Sequence, residues 1–92
     1  MAKLKINATL TVGEHFKKPI LVDVEVEDQP INIKPLHDVE FDIVPHGNGE
    51  MTVSAHVFGF LNVHKDVKDT FEHPFRIGVG AIEFEGIVQL EA

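Results

Sequence analysis

The alternation of apolar and polar residues, which recurs along most of the sequence, is its strongest structural constraint. Between Lys3 and Val12 every second residue is apolar, and the pattern returns from Ile20 to Glu27 and from His37 to Val44. Successive side chains of a β-strand point to opposite faces, so a period of two predicts strands with one buried face. No segment has a sustained helical period. The sequence therefore predicts an all-β domain.

Turn-forming residues separate the alternating runs. Gly47-Asn48-Gly49 lies between two of them and is typical of a hairpin loop. The segment 31–35 is short and contains a proline, which predicts an edge strand at best. From Met51 to Val63 the sequence predicts one long strand, with Phe58 and Phe60 on the face opposite the other apolar residues. Because such a strand is apolar on both faces, we expect it to be central or to form part of an interface.

The last third of the chain departs from the simple pattern twice. In residues 64–73 the alternation stops, and Val67 and Phe71, four positions apart, are compatible with at most one short helical turn. A loop is the alternative. Later, the apolar positions change from odd to even numbers near Gly80-Ala81. A β-bulge there accounts for the change, and a tight corner into a sixth strand is the alternative. The predicted fold is a small antiparallel β-sandwich or barrel of five to six strands, forming a single domain over residues 1–92.

Composition excludes several classes of protein. The 92 residues include no cysteine, which excludes disulfides, thiolate nucleophiles and cysteine-based zinc sites. A net charge of −7 disfavours nucleic acids and anionic membrane surfaces as partners. No apolar run approaches the roughly 18 residues of a membrane span, and the first residues alternate instead of forming a signal peptide. We therefore expect a cytoplasmic protein with no cofactor, no nucleic-acid partner and no membrane partner.

Acidic residues alternate with apolar ones in three of the predicted strands and form three acidic strand faces. These residues are Asp23, Glu25, Glu27, Asp38, Glu40, Asp42, Glu83 and Glu85. If the strands are neighbours, cations such as Lys3, Lys5 or Arg76 are needed between them, because like charges placed opposite each other destabilise a sheet. The simplest interpretation is a solvated outer face. A docking surface for a basic partner, or a face that binds cations, is the functional alternative.

Two possible reactive groups are visible in the sequence. The single serine, Ser54, lies within a strand two residues from His56, a separation of about 7 Å that is too long for a direct hydrogen bond. We therefore predict no catalytic residue and no enzymatic activity. Asp69, Glu72 and His73 would share one face of a helical turn, where they could hold a weakly bound divalent cation.

The combined observations predict a non-enzymatic protein–protein interaction or assembly module whose partner is a second copy of the same chain. A domain of this size has a thin core, and association is a common way to bury more surface. The predicted interface lies on the long strand and comprises Met51, Val53, Val57, Phe58, Phe60 and Leu61. A β-barrel that binds a small ligand, and the cation site in residues 64–73, are the alternatives.

Overall fold

Eight strands make up the fold of residues 2–91, the part of the chain that this computed structural model describes. They are β1 (Ala2–Val12), β2 (Phe16–Val26), β3 (Ile31–Leu36), β4 (Val39–Pro45), β5 (Met51–Val57), β6 (Leu61–Val67), β7 (His73–Val79) and β8 (Ile82–Glu91). Sheet A has the order β2-β1-β8-β7 and sheet B the order β3-β4-β5-β6, and all pairings are antiparallel. The two sheets pack face to face as a β-sandwich. The predicted fold class is confirmed, but the prediction of five to six strands was too low.

The apolar positions of the alternating runs form a single core between the sheets. Along β1 every second residue from Leu4 to Leu10 is buried, and β5 follows the same pattern. At the centre, the ring of Phe84 from sheet A lies 6.0 Å from that of Phe41 and 5.3 Å from that of Phe75, measured between centroids. Full burial of such a side chain stabilises the fold by about 1.5–3 kcal/mol, so this row of inward side chains holds the sheets together.

The predicted long strand from Met51 to Val63 is two strands joined by a tight turn. β5 ends at Val57, which pairs with Leu61 at the start of β6. Between them, Phe58 and Gly59 have positive φ angles of 55° and 78°, a combination that reverses the chain direction. Phe58 and Phe60 therefore belong to a turn and not to the second face of a strand.

The predicted bulge near Gly80-Ala81 is wrong, and the alternative of a corner into a further strand is correct. Val79 of β7 pairs directly with Ile82 of β8, so the two residues between them form a hairpin turn. Gly80 has a φ of 58°, as expected for a glycine in the first position of a tight hairpin turn. Paired residues share a face of the sheet, and Val79 and Ile82 differ in parity, which accounts for the change from odd to even apolar positions.

Residues 68–72 form a loop, because β6 continues to Val67 and β7 begins at His73. The loop alternative for residues 64–73 is therefore correct, and no helical turn forms there. Among the described residues, no helix has the length and apolar character needed to cross a bilayer.

Four turns lie together at one end of the sandwich, and we call this region the turn end. It comprises residues 13–15, 37–38, 58–60 and 80–81. In sheet A, the N–H of Gly13 donates to the carbonyl of Ala81 at 2.9 Å, and in sheet B the N–H of Phe58 donates to the carbonyl of Asp38 at 2.8 Å. The loops 27–30, 46–50 and 68–72 lie at the opposite end, because each follows a strand that runs away from the turn end.

Candidate interaction surfaces

The structure divides the predicted interface into core residues and turn residues. Met51, Val53, Val57 and Leu61 point between the sheets and are buried. They cannot contact a partner while the sandwich stays intact. Phe60 differs, with 58% of its surface exposed at the turn end, and Phe58 is half-buried beside it.

The turn end carries several exposed apolar side chains. Phe16 and Val79 are exposed there in addition to Phe60. A cleft of about 270 Å³ lies next to them, between the β1–β2 hairpin and the turns of sheet B. Phe58, which lines this cleft, has a left-handed backbone that costs a non-glycine residue roughly 1–2 kcal/mol. Strain of this kind often accompanies function, so the turn end is one candidate contact surface.

The outer edge of sheet A is a second candidate surface. β2 is an edge strand of eleven residues, longer than the edges β3, β6 and β7. At its midpoint lies Leu21, the most exposed of the large apolar side chains of residues 2–91 at 76%. The edge strand β3 has an irregular register before Leu36, whereas β2 pairs regularly with β1 throughout and contains one proline, Pro19.

Charge on β2 is divided between its two halves. Lys17 and Lys18 occupy the first half, and Asp23 and Glu25 the second. The strand is therefore neutral in a chain whose net charge is −7. The alternation of the sequence does not by itself reveal this edge. The one sign of it in the sequence is Leu21, an apolar residue that shares the outer face of β2 with Asp23 and Glu25.

Cations separate the acidic strands of sheet A. Lys3 and Lys5 of β1 lie between the carboxylates of β2 and β8, with Lys5 Nζ 2.9 Å from Glu91 Oε1 and Lys3 Nζ 3.7 Å from Asp23 Oδ1. The hydrogen bond between Lys5 and Glu91 raises the pKa of the lysine and lowers the pKa of the carboxyl group. The outer face of this sheet is therefore a pattern of alternating charges.

Arg76 of β7 continues this pattern on the other side of β8. Its Nη2 lies 2.7 Å from Glu83 Oε2, and its Nε lies 3.9 Å from Glu85 Oε2. The hydrogen bond that the guanidinium donates to Glu83 raises the pKa of Arg76, with a smaller contribution from the charge of Glu85. The acidic residues predicted on β8 are thus balanced within their own sheet.

The other four of the eight predicted acidic residues lie outside the strands of sheet A. Glu40 and Asp42 lie on β4 in sheet B, where the side-chain amide of Asn32 donates to both at 2.7 and 2.6 Å. Glu27 follows the end of β2, and Asp38 lies in the β3–β4 turn. The eight acidic residues are therefore distributed over two opposite outer faces and two connections.

His56 is fully engaged in the polar network of sheet B. Its Nδ1 contacts the side-chain oxygen of Asn62, and its Nε2 lies 3.1 Å from Asp42 Oδ2. Both ring nitrogens therefore have partners other than Ser54, the residue that a nucleophilic mechanism would need.

Asp69, in the loop before β7, contacts His73, the first residue of β7. Asp69 Oδ1 lies 2.8 Å from His73 Nε2 and accepts the N–H of Phe71 at 2.9 Å. Both hydrogen bonds lower the pKa of Asp69, and the one from the Phe71 N–H has the larger effect. Within residues 2–91 no group of three or more His, Cys, Asp or Glu side chains is arranged to hold a metal ion. The helical turn that would have added Glu72 to this pair is absent from the loop.

Comparisons with models of protein families, with curated proteins and with solved structures found no match for this chain. The functional interpretation therefore depends on the turn end and the β2 edge. The two sheets are separate and do not close into a barrel, and a cluster of apolar side chains lies between them.

Proposed function

We propose that this chain is a non-enzymatic protein–protein interaction module that assembles with copies of itself. One observation carries the proposal, namely the long regular edge β2 with the exposed Leu21 at its middle. An edge strand presents a row of N–H and C=O groups that lack a strand partner on one side, and these groups can pair with another chain.

The size of the domain supports this proposal. A chain of about this length buries only somewhat more than ~60% of the surface that it exposes when unfolded, so association adds burial that the single copy lacks. The charged side chains on the outer face of sheet A, and the polar network of sheet B, are largely paired within the chain. The β2 edge and the turn end, which carry exposed apolar side chains, are the surfaces that we propose for contact with a partner.

Sedimentation velocity combined with light scattering, over a wide range of protein concentrations, tests the proposal. We expect a mass above the 10.3 kDa of one chain that rises with concentration, as a reversible assembly requires. A mass equal to one chain at the highest soluble concentration would refute self-assembly.

The contribution of the turn end can be measured in the same experiment with a matched pair of variants. Phe60→Ser removes an exposed ring from the turn end, and Phe71→Ser removes a ring of 73% exposure from the opposite end. If the turn end takes part in assembly, only Phe60→Ser lowers the mass. Equal behaviour of the two variants would exclude the turn end from the assembly.

A further inference from the structure

We propose that β2 pairs antiparallel with β2 of a second copy about a two-fold axis at Leu21. This pairing would join two copies of sheet A into one continuous sheet of eight strands. The inference rests on the proposed self-assembly and specifies its geometry. It follows from the strand bounds, the backbone direction and the placement of charge along β2.

The strand bounds select the register. β2 runs from Phe16 to Val26, and Leu21 is its middle residue. Full overlap of two antiparallel copies therefore places Leu21 opposite Leu21 of the second copy and Phe16 opposite Val26. Leu21, the most exposed apolar side chain of the strand, would then meet an apolar partner. A shift of the register in either direction shortens the overlap, and Leu21 then no longer lies opposite Leu21 of the second copy.

The backbone of β2 is compatible with this register. In an antiparallel pair, alternate residues direct their N–H and C=O groups toward the partner strand. Pro19, which lies opposite Thr9, has no N–H, and a strand proline is placed with its nitrogen facing away from the ladder. The odd-numbered residues of β2 therefore direct their backbone N–H and C=O groups toward the free edge. A two-fold axis at Leu21 pairs odd residues with odd residues, and Pro19 removes only one bond from each half.

Charge complementarity also favours this arrangement. In the same register Lys17 lies opposite Glu25 of the second copy, and the two-fold axis repeats this pair. Within residues 2–91 no ion pair involves Lys17 or Glu25, so both charges can form a new pair. The division of charge between the two halves of β2 therefore favours an antiparallel self-pairing.

Cysteine crosslinking tests the position of the axis, and the natural chain has no cysteine to interfere. Directly opposite residues in a hydrogen-bonded antiparallel pair have Cα atoms about 5.5 Å apart, within the range that a disulfide spans. Under mild oxidation, Leu21→Cys should form a disulfide-linked dimer much faster than Phe71→Cys, a similarly exposed control at a loop. Equal rates for the two variants would refute pairing at β2.

Charge reversal tests the register independently. Glu25→Lys or Lys17→Glu alone places two like-charged pairs at the interface and should weaken the dimer about tenfold. The double variant, or an equal mixture of the two single variants, restores opposite charges and should bind within about twofold of the natural chain. Failure of both the double variant and the mixture to recover would overturn this register.

The same experiments separate the two proposals. If the natural chain is an oligomer but neither the cysteine nor the charge variants behave as expected, self-assembly stands and β2 pairing is refuted. If the natural chain is a monomer at every concentration, both proposals fail.

Discussion

Gly86 is the position at which a single methyl group should damage this fold most directly. The residue lies on β8 between β1 and β7, opposite Ala8 and Phe75. A Cβ atom at this position would lie 2.6 Å from the Cα of Ala8 and against the carbonyl oxygen of Asn7. Both obstructing atoms belong to the backbone of β1, so relief requires β1 and β8, the central strands of sheet A, to separate.

The magnitude for Gly86→Ala follows from two opposing effects. Overpacking in a core costs about 1–3 kcal/mol, and the backbone obstruction here places the cost near the upper end, at about 3 kcal/mol. Replacing glycine also restricts the unfolded chain, which returns about 0.4–1 kcal/mol of stability. We expect a net loss of about 2 kcal/mol, and a fall in Tm of about 10 °C for a domain of this size.

Urea denaturation followed by far-ultraviolet circular dichroism measures this loss, with thermal unfolding as a second readout. The double variant Ala8→Gly/Gly86→Ala is the control, because it removes the Ala8 side chain, which lies 2.9 Å from the new methyl group, but leaves the backbone obstruction. It should be no more stable than Gly86→Ala alone. A Gly86→Ala protein within about 0.5 kcal/mol of the natural chain, or a clear rescue by Ala8→Gly, would refute the reasoning.

Three further outcomes can be measured on the same material. Phe84→Ala, which empties the centre of the core between Phe41 and Phe75, should cost about 3–5 kcal/mol in urea denaturation, whereas Phe71→Ala at the exposed loop should stay within about 0.5 kcal/mol. Because the pKa of Asp69 is lowered in the fold, its stabilising contribution is present above the ordinary carboxyl pKa and disappears as the pH falls through the lowered value. Asp69→Asn should therefore lose less stability than the natural chain between neutral pH and about pH 3, and identical losses in urea titrations would contradict this. Arg76→Gln should destabilise the fold at low ionic strength, because it leaves Glu83 and Glu85 without their cation. The loss of stability relative to the natural chain should shrink in roughly 1 M salt, where charges are screened within about 3 Å. A loss that does not depend on salt would argue against a charge effect.

Alternation predicted the fold class and the inward residues of β1, β2 and β4, because it reports directly on which side chains share a face. It missed the turn after β5 for a physical reason. Three residues separate Val57 from Leu61, so the odd parity of the apolar positions continues through the turn. Phe58 also concealed it, because a bulky side chain is rarely found at the positive φ that this turn requires.

The candidate surfaces were harder to predict from the sequence than the fold. Burial in a core and burial in an interface select the same apolar side chains, so the pattern could not show that Met51 and Val53 point between the sheets. The β2 edge depends on strand order, and strand order is set by pairing between distant segments such as β1 and β8. Once the order is known, Leu21 stands out as an apolar residue on an outer face.

The position of β8 beside β1 also determines when sheet A can be completed. Lys3 pairs with Glu91, near the two ends of the described chain, whereas sheet B is a meander of consecutive strands built from local contacts. During synthesis at about 5–20 residues per second, the β1–β2 hairpin would wait several seconds for β8 to leave the ribosome. For that interval β1 is itself an open edge. Lys3 and Lys5, which later separate the carboxylates of the finished sheet, would first discourage wrong strands from adding to the nascent hairpin.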